Sequence, residues 1–130
     1  MSNVYPTAPG VLDFVTPRRS SNATLNPVRQ GDTFRRLLTL QDFDLDGHDL
    51  RMEVKETKDA TSSVLYLSTG NGRIFIDGDT ITLEVTPTIT AALEPATYFY
   101  DLEIITPQSE VYTLLEGRFE VVREITTQED

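Results

Sequence analysis

The chain has 130 residues and a hydrophobic fraction of 38%, which suits one domain with one thin core. Its 11 basic and 21 acidic residues give a formal net charge of −10, so phosphate backbones and anionic lipids repel it and we expect no nucleic-acid partner. The absence of cysteine excludes disulfides, zinc–thiolate sites and a cysteine nucleophile, and because no run approaches the ~20 apolar residues of a membrane span we expect no membrane insertion.

Residues 1–22 are predicted to form an extended N-terminal arm. Three prolines and one glycine interrupt this stretch, and only the run Val11–Val15 could form a short strand. The alternative is that this run is simply the first strand of the folded domain. As an arm, the segment would bind a partner through apolar anchors and two cations, namely Val11, Leu12, Phe14, Val15, Arg18 and Arg19.

Residues 23–125 are predicted to form a β domain, because short alternating runs are separated by turn signals about every 8–12 residues. The run Leu50–Val54 alternates strictly between apolar and charged residues. The pair Asp77-Gly78 between two alternating runs predicts a hairpin with a type I′ turn, which needs positive φ at both central residues. The other predicted strands are Thr33–Leu40, Val64–Leu67, Ile74–Ile76, Ile81–Val85, Thr97–Ile105, Val111–Leu115 and Gly117–Arg123.

One short helical turn is predicted before the longest strand. Thr86 can cap it, Pro87 can open it and Pro95 is expected to end it. Residues 126–130 are predicted to be a polar C-terminal tail. Since no stretch of about 15 residues has a helical period, βαβ units are excluded and a sandwich or barrel is expected.

The segment Leu93–Tyr100 resembles the corner that leads into strand F of an immunoglobulin sandwich. In that corner a tyrosine two residues before the core cysteine bonds back to the upstream backbone. Tyr98 would be the corner residue and Tyr100 would take the cysteine position, unless both are simply large β-formers on a buried face. The predicted fold is therefore an all-β, immunoglobulin-like antiparallel β-sandwich with an extended N-terminal arm and one short helical turn.

The stretch Asp42–Glu53 matches the calcium-loop consensus D-x-D-x-D-G-x5-E. A true EF-hand needs helices on both sides, whereas the flanking runs predict strands, and Glu53 belongs to the polar face of one of them. We interpret the stretch as an Asp/Gly-rich turn. The open alternatives are a weak Ca²⁺ site at Asp42, Asp44 and Asp46 and, less favoured, an EF-hand.

No constellation of residues predicts catalysis or cofactor binding. His48 is the single histidine, and nothing in the sequence nominates a nucleophile and an orienting acid for it. We therefore expect a chain that is not an enzyme and that has no cofactor.

Several motifs together resemble the small immunoglobulin-like proteins of tailed bacteriophages, similar to the N-terminal domain of phage upper-baseplate proteins. The resemblance covers about residues 26–125. The motifs are Arg29–Phe34, Asp46-Gly47 with Asp49-Leu50 and Met52, Thr80–Leu83, Ala96–Glu103 and Gly117–Val121.

This resemblance implies a virion structural protein, at the tail, the baseplate or a fibre attachment. Its partners would be other phage structural proteins, in multiple copies, and its location would be the virion, assembled in the cytoplasm of the bacterial host. The alternatives are a capsid-decoration protein and a carbohydrate- or host-surface-binding module. The latter is disfavoured because tryptophan is absent and the two corner tyrosines are expected to be buried.

Overall fold

The structure is a computed structural model and describes residues 5–8, 11–14, 21–22, 25, 27–40 and 42–125. Within these residues the chain forms strands and one short helix. The elements are, in chain order, β1 (Tyr5–Ala8), β2 (Val11–Phe14), β3 (Ser21–Asn22), β4 (Val28–Arg29), β5 (Phe34–Thr39), β6 (Asp49–Lys55), β7 (Leu65–Ser68), β8 (Ile74–Asp77), β9 (Thr80–Val85), α1 (Pro87–Ala91), β10 (Ala96–Ile105) and β11 (Val111–Val122).

The strands lie in two sheets. The first sheet has the order β1-β2-β5-β9-β8, and the second has the order β3-β11-β10-β6-β7, with β4 also pairing with β11. The chain crosses between the sheets after β2, β4, β5, β7 and β9. The order β5-β9-β8 against β6-β10-β11 is that of an immunoglobulin-like sandwich, so the predicted all-β fold is confirmed.

Period-two alternation builds the core between the sheets. Leu50, Met52 and Val54 of β6 are buried, as the alternation predicted. The inward side of β10 is buried as well, and across the sandwich the rings of Phe34 and Phe119 meet with their centroids 5.4 Å apart. The apolar faces of both sheets are thereby removed from water, which is the main favourable term in folding.

Strand β5 keeps its alternation through Arg36. Phe34 and Leu38 are buried, while the Arg36 guanidinium lies 4.7 Å from the centre of the Phe34 ring. Leu37 points to the other side and is 59% exposed. Arg36 thus occupies an inward-facing position as a cation over an aromatic ring rather than interrupting the strand.

The hairpin between β8 and β9 forms at the predicted place but with a different turn. Asp77 pairs with Thr80, so the loop consists of Gly78 and Asp79. Gly78 has φ of 64°, whereas Asp79 is not among the residues with positive φ. Positive φ at the first central residue alone is the pattern of a type II′ turn, so the predicted type I′ turn is wrong.

The two strands predicted at the C-terminal end are one continuous strand, β11. Leu102 pairs with Leu115 and Glu103 pairs with Thr113, so Leu114 is an extra residue in the ladder. Such a bulge lets two successive side chains face inward, and both Leu114 and Leu115 are buried.

Helix α1 is tied to the loop after β4. The Thr90 hydroxyl donates to the carbonyl of Asp32 at 2.7 Å and accepts from the N–H of Gly31 at 3.1 Å. Thr86 stands at the N-cap, but its side chain makes no capping hydrogen bond. The helix ends at Ala91, because the Ala92 N–H already bonds back to Ile89, and not at Pro95 as predicted.

The N-terminal strands join both sheets. β1 and β2 form an antiparallel hairpin, and β2 contacts the first sheet through the pair Val11–Thr39. β3 and β4 run parallel to β11 in the second sheet. The strands within residues 1–22 therefore pair with the margins of the sandwich. These residues are the segment that the sequence predicted as an arm.

The corner before β10 has the geometry that the sequence predicted. The Tyr98 hydroxyl donates a hydrogen bond to the carbonyl of Glu94 at 2.6 Å, and burial raises the pKa of Tyr98. Tyr98 and Tyr100 are each 4% exposed and belong to the core. The bond holds the turn against the first residues of β10 and so fixes where the chain enters the second sheet.

Replacing Tyr98 by Phe should lower the free energy of unfolding by about 1–2 kcal/mol, because the Glu94 carbonyl loses its donor. Tyr66→Phe is the matched control, since the Tyr66 side chain is exposed and should change stability by less than about 0.5 kcal/mol. Chemical denaturation of both variants measures the difference. Equal stability of the two variants would show that the corner bond contributes nothing.

Candidate functional site

The outer face of the second sheet carries a concavity of about 570 Å³. It lies over β6, β10 and β11, and the loop between β6 and β7 contributes Lys58. Its outward side chains come from strand positions that alternate with the buried core. The lining residues are Glu53, Lys55, Lys58, Phe99, Tyr100, Asp101, Glu103, Thr113, Glu116, Gly117 and Arg118.

The strand register sorts these outward residues into rows across three strands. Asp101 of β10 pairs with Glu53 of β6 and with Glu116 of β11, which makes one acidic row. The row on one side is Lys55, Phe99 and Arg118, and the row on the other side is Arg51, Glu103 and Thr113. An acidic stripe therefore runs across the sheet between two rows that carry cations.

Two of the cations form ion pairs, one within a neighbouring row and one with the stripe. The Arg51 Nε lies 2.7 Å from the Glu103 Oε1, and this hydrogen bond raises the pKa of Arg51. The Lys55 Nζ lies 3.5 Å from the Glu53 Oε2. Both pairs are partly exposed, so each is worth less than about 1 kcal/mol.

Asp101, at the centre of the stripe, has neither an ion pair nor a side-chain hydrogen bond within the described part of the chain. Burial raises its pKa, and the negative charges of Glu103 and Glu53 raise it further, while Lys55 opposes them. Like charges directly opposite each other in a sheet are destabilising. The stripe is thus an unfavourable arrangement for the isolated domain, which a cationic group from outside would relieve.

The aromatic part of the concavity is the ring of Phe99. The Lys58 Nζ lies 5.6 Å from the centre of this ring, so the aromatic face is already approached by a cation. Burial, and then the charge of Glu116, raises the pKa of Tyr100 well above its ordinary value. Tyr98 and Tyr100 are buried and cannot stack on a ligand from solvent.

The Asp42–Asp46 loop has the geometry of a turn. The Asp46 N–H donates to the Asp44 Oδ1 at 2.9 Å, and Asp42 and Gly47 have φ of 61° and 77°. The loop connects two strands, β5 and β6, and an EF-hand requires helices at those places. No group of three His, Cys, Asp or Glu side chains within the described ranges is arranged to hold a metal ion.

His48 is a residue of this loop. Its Nδ1 lies 3.1 Å from the Asp46 carbonyl, and its ring meets Phe43 edge to face at 5.4 Å. These contacts give His48 a structural role within the turn.

The predicted arm residues are divided by the structure. Val11, Leu12 and Phe14 lie in β2, whereas Val15, Arg18 and Arg19 lie outside the described residues.

The concavity was not predicted from the sequence. From the sequence, Glu53 was assigned to the polar face of a strand, and no role was predicted for Asp101 and Glu103. The alternation identifies them as outward residues, but only the pairing of β6 with β10 places Glu53 opposite Asp101. The acidic stripe could have been predicted only if the neighbouring strands in the sheet had been known.

No protein-family model and no curated protein matches the chain. Solved structures similar to it include the extracellular domain of mouse leukocyte-associated immunoglobulin-like receptor 1, at 19% sequence identity and a TM-score of 0.40. That match covers 91% of this chain and 95% of the receptor domain.

The single described helix, α1, has five residues, which is far too short to cross a bilayer.

Calcium at about 1 mM should leave the melting temperature of the chain unchanged, because the Asp42–Asp46 loop is a turn. Specific binding at a hundredfold excess over Kd would stabilise the fold by about 2.7 kcal/mol, which a thermal scan detects easily. A rise in melting temperature with Ca²⁺ that disappears in Asp42→Asn/Asp46→Asn would instead establish a cation site.

Asp101→Asn should raise the melting temperature at pH 7, because it removes the central charge of the acidic stripe. Between the ordinary pKa of aspartate and the raised value, the folded state binds more protons than the unfolded state. The contribution of Asp101 therefore lowers stability as pH rises through that window, and the penalty persists at neutral pH. The advantage of the variant should shrink as pH falls to about 4, near the unfolded value.

Asp59→Asn is the matched control, since Asp59 is an exposed acid in the loop between β6 and β7. Thermal scans from neutral to acidic pH compare the three proteins. A lower melting temperature for Asp101→Asn at pH 7 would contradict the account of the stripe as unfavourable.

Proposed function

We propose that the chain is a non-enzymatic structural adaptor in the virion of a tailed bacteriophage, at the tail, the baseplate or a fibre attachment. The assignment to a phage rests on the motifs described above, which fall on the β4–β5 segment, the loop before β6, and strands β9, β10 and β11. The adaptor role rests on the surfaces that the fold presents. The observation that carries it is the acidic stripe between two cation-bearing rows, which suits a protein partner better than a small substrate.

The stripe supports binding to a polypeptide segment with basic side chains. A partner's Lys or Arg placed beside Asp101 would relieve the repulsion among Asp101, Glu53 and Glu116. Acids of the same partner segment would face Lys55 or Arg118 in the next row. Complementary charge of this kind sets specificity and orientation more than affinity.

A second contact surface supports a role between two partners. The β1–β2 hairpin lies at the far end of the first sheet, away from the acidic stripe on the second sheet. A rigid sandwich with one contact surface on each sheet can hold two neighbours at a fixed distance. Many copies in a particle would add multivalent strength to individually weak contacts.

This proposal implies both partners and location. The partners would be other phage structural proteins, and the location would be the virion, which is assembled in the cytoplasm of the bacterial host. A capsid-decoration protein would use the same surfaces, so the stoichiometry in purified particles is the observation that separates a capsid role from a tail role.

Carbohydrate binding is the second candidate, and Phe99 is the observation in its favour. The ring lies in a concavity beside the carboxylates of Asp101 and Glu103, which is a combination that sugar sites use. Against it, Lys58 already approaches the ring. Loss of glycan or cell-surface binding in Phe99→Ala, with particle incorporation unchanged, would favour this candidate over the adaptor.

The proposal is tested by composition and assembly. Purified particles should contain the chain at a fixed stoichiometry by quantitative mass spectrometry. Asp101→Lys, which reverses the centre of the stripe, should reduce incorporation at least tenfold, whereas Asp59→Lys should leave it unchanged. Absence of the chain from particles would end the proposal, and equal incorporation of the two variants would remove the stripe as the contact.

Deleting residues 1–14 should leave the domain folded, because Val11–Thr39 is the only strand pair between the described hairpin and the sandwich. The melting temperature should stay close to that of the full chain, while incorporation into particles should fall. Deleting residues 126–130 is the control for truncation itself. If Val11–Val15 is instead an integral first strand, the deletion will unfold the domain and the arm hypothesis fails for this segment.

A further inference from the structure

Within the residues that the structure describes, the outer edge of β5 has no neighbouring strand between Arg35 and Leu37. In the β8–β9 hairpin Thr80, Thr82 and Glu84 bond to β8, as the Glu84 N–H to Arg73 carbonyl bond of 2.8 Å shows. The other residues of β9, which alternate with these three along the strand, therefore bond to Phe34, Arg36 and Leu38 of β5. The backbone N–H and C=O groups of Arg35 and Leu37 consequently face away from β9, toward the free side of the strand.

Few groups in the described chain satisfy this free side. The Arg36 guanidinium donates to the Arg35 carbonyl at 2.8 Å. β2 meets the strand only at Thr39, through Val11. Within the residues that the structure describes, no strand pairs with the Arg35 N–H or with the N–H and C=O of Leu37, whose side chain is 59% exposed.

Three other sheet margins are protected. At β7 the Asn71 Oδ1 accepts from the Ser68 N–H, and the Arg73 guanidinium and the Asn71 Nδ2 both donate to the Tyr66 carbonyl. The margin beside β11 is covered by β3 and β4. β8 has only four residues, and short edge strands resist further pairing. The open stretch of β5 thus differs from these three protected margins.

Among the described residues, β2 does not cover this edge within its own chain. β2 runs parallel to β5 with Val11 opposite Thr39, so Leu12 to Phe14 continue past the end of β5 and away from Arg35. The hairpin pairs internally at Tyr5–Phe14, Pro6–Asp13 and Ala8–Val11, and an isolated two-stranded hairpin is at best marginally stable in water. It projects from the sandwich as an incomplete sheet.

We propose that the β1–β2 hairpin of one copy pairs along the Arg35–Leu37 edge of a second copy and extends the first sheet across the interface. Each element supplies what the other lacks, because a projecting hairpin gains a neighbouring strand and the open backbone groups gain partners. The chain's own β2–β5 contact shows that the two strands are compatible neighbours. The proposal deepens the adaptor role by naming the partner of the arm, and it rests on that role only for its place in a particle.

The chain has no cysteine, so engineered thiols report the contact without background. Leu12→Cys and Leu37→Cys are made on separate chains of different mass and mixed with a short bismaleimide cross-linker. Since each chain then carries one thiol, a covalent heterodimer can form only between copies. Leu12→Cys mixed with Ser62→Cys is the matched control, because Ser62 is exposed in the loop between β6 and β7.

We expect the Leu12–Leu37 heterodimer to form in large excess over the Ser62 control. We also expect the full chain to self-associate in sedimentation experiments, more strongly at higher salt because each copy carries a charge of −10, while the chain lacking residues 1–14 stays monomeric. Cross-linking no greater than the control, together with identical monomeric sedimentation of both forms, would overturn the proposal. Because purified chain is used, this outcome would leave particle incorporation through the acidic stripe unaffected.

Discussion

The burial of one face of β10 is the constraint on which the rest of the structure depends. Tyr98, Tyr100, Leu102 and Ile104 all point into the core, and β10 pairs with both β6 and β11. The bond from Tyr98 to the Glu94 carbonyl determines where the strand starts. Because side chains alternate in a strand, a slip of one residue would turn the entire apolar set toward water.

The same alternation produces the charged outer face. Once the inward residues of β10 are fixed, Phe99, Asp101 and Glu103 must point outward, and their neighbours on β6 and β11 follow from the register. The acidic stripe and the cations beside it therefore lie on the face of the sheet opposite to the core. We expect the stripe to cost the isolated domain some stability, which is the kind of local conflict found where a surface serves a partner.

The two sheets differ in how their margins are treated. The second sheet is closed by the Asn71–Arg73 turn at one side and by two parallel strands at the other. The first sheet ends in a hairpin whose pairing with β5 is limited, among the described residues, to Val11–Thr39. No described strand pairs with β5 between Arg35 and Leu37. On the two proposals made above, contacts with neighbours would be divided between main-chain pairing at the first sheet and charge at the second.

The sequence by itself determined the elements that depend on neighbouring residues. The alternation of Leu50, Met52 and Val54, the hairpin at Gly78 and the Tyr98 corner could all be predicted, because each depends on a pattern within about ten residues. The tertiary structure decided the rest: the bulge at Leu114, the type II′ turn, the acidic stripe across Glu53, Asp101 and Glu116, and the open edge of β5. These depend on the register between strands that are distant in the chain, and a local period of two specifies which side a residue faces but not which residue lies opposite it.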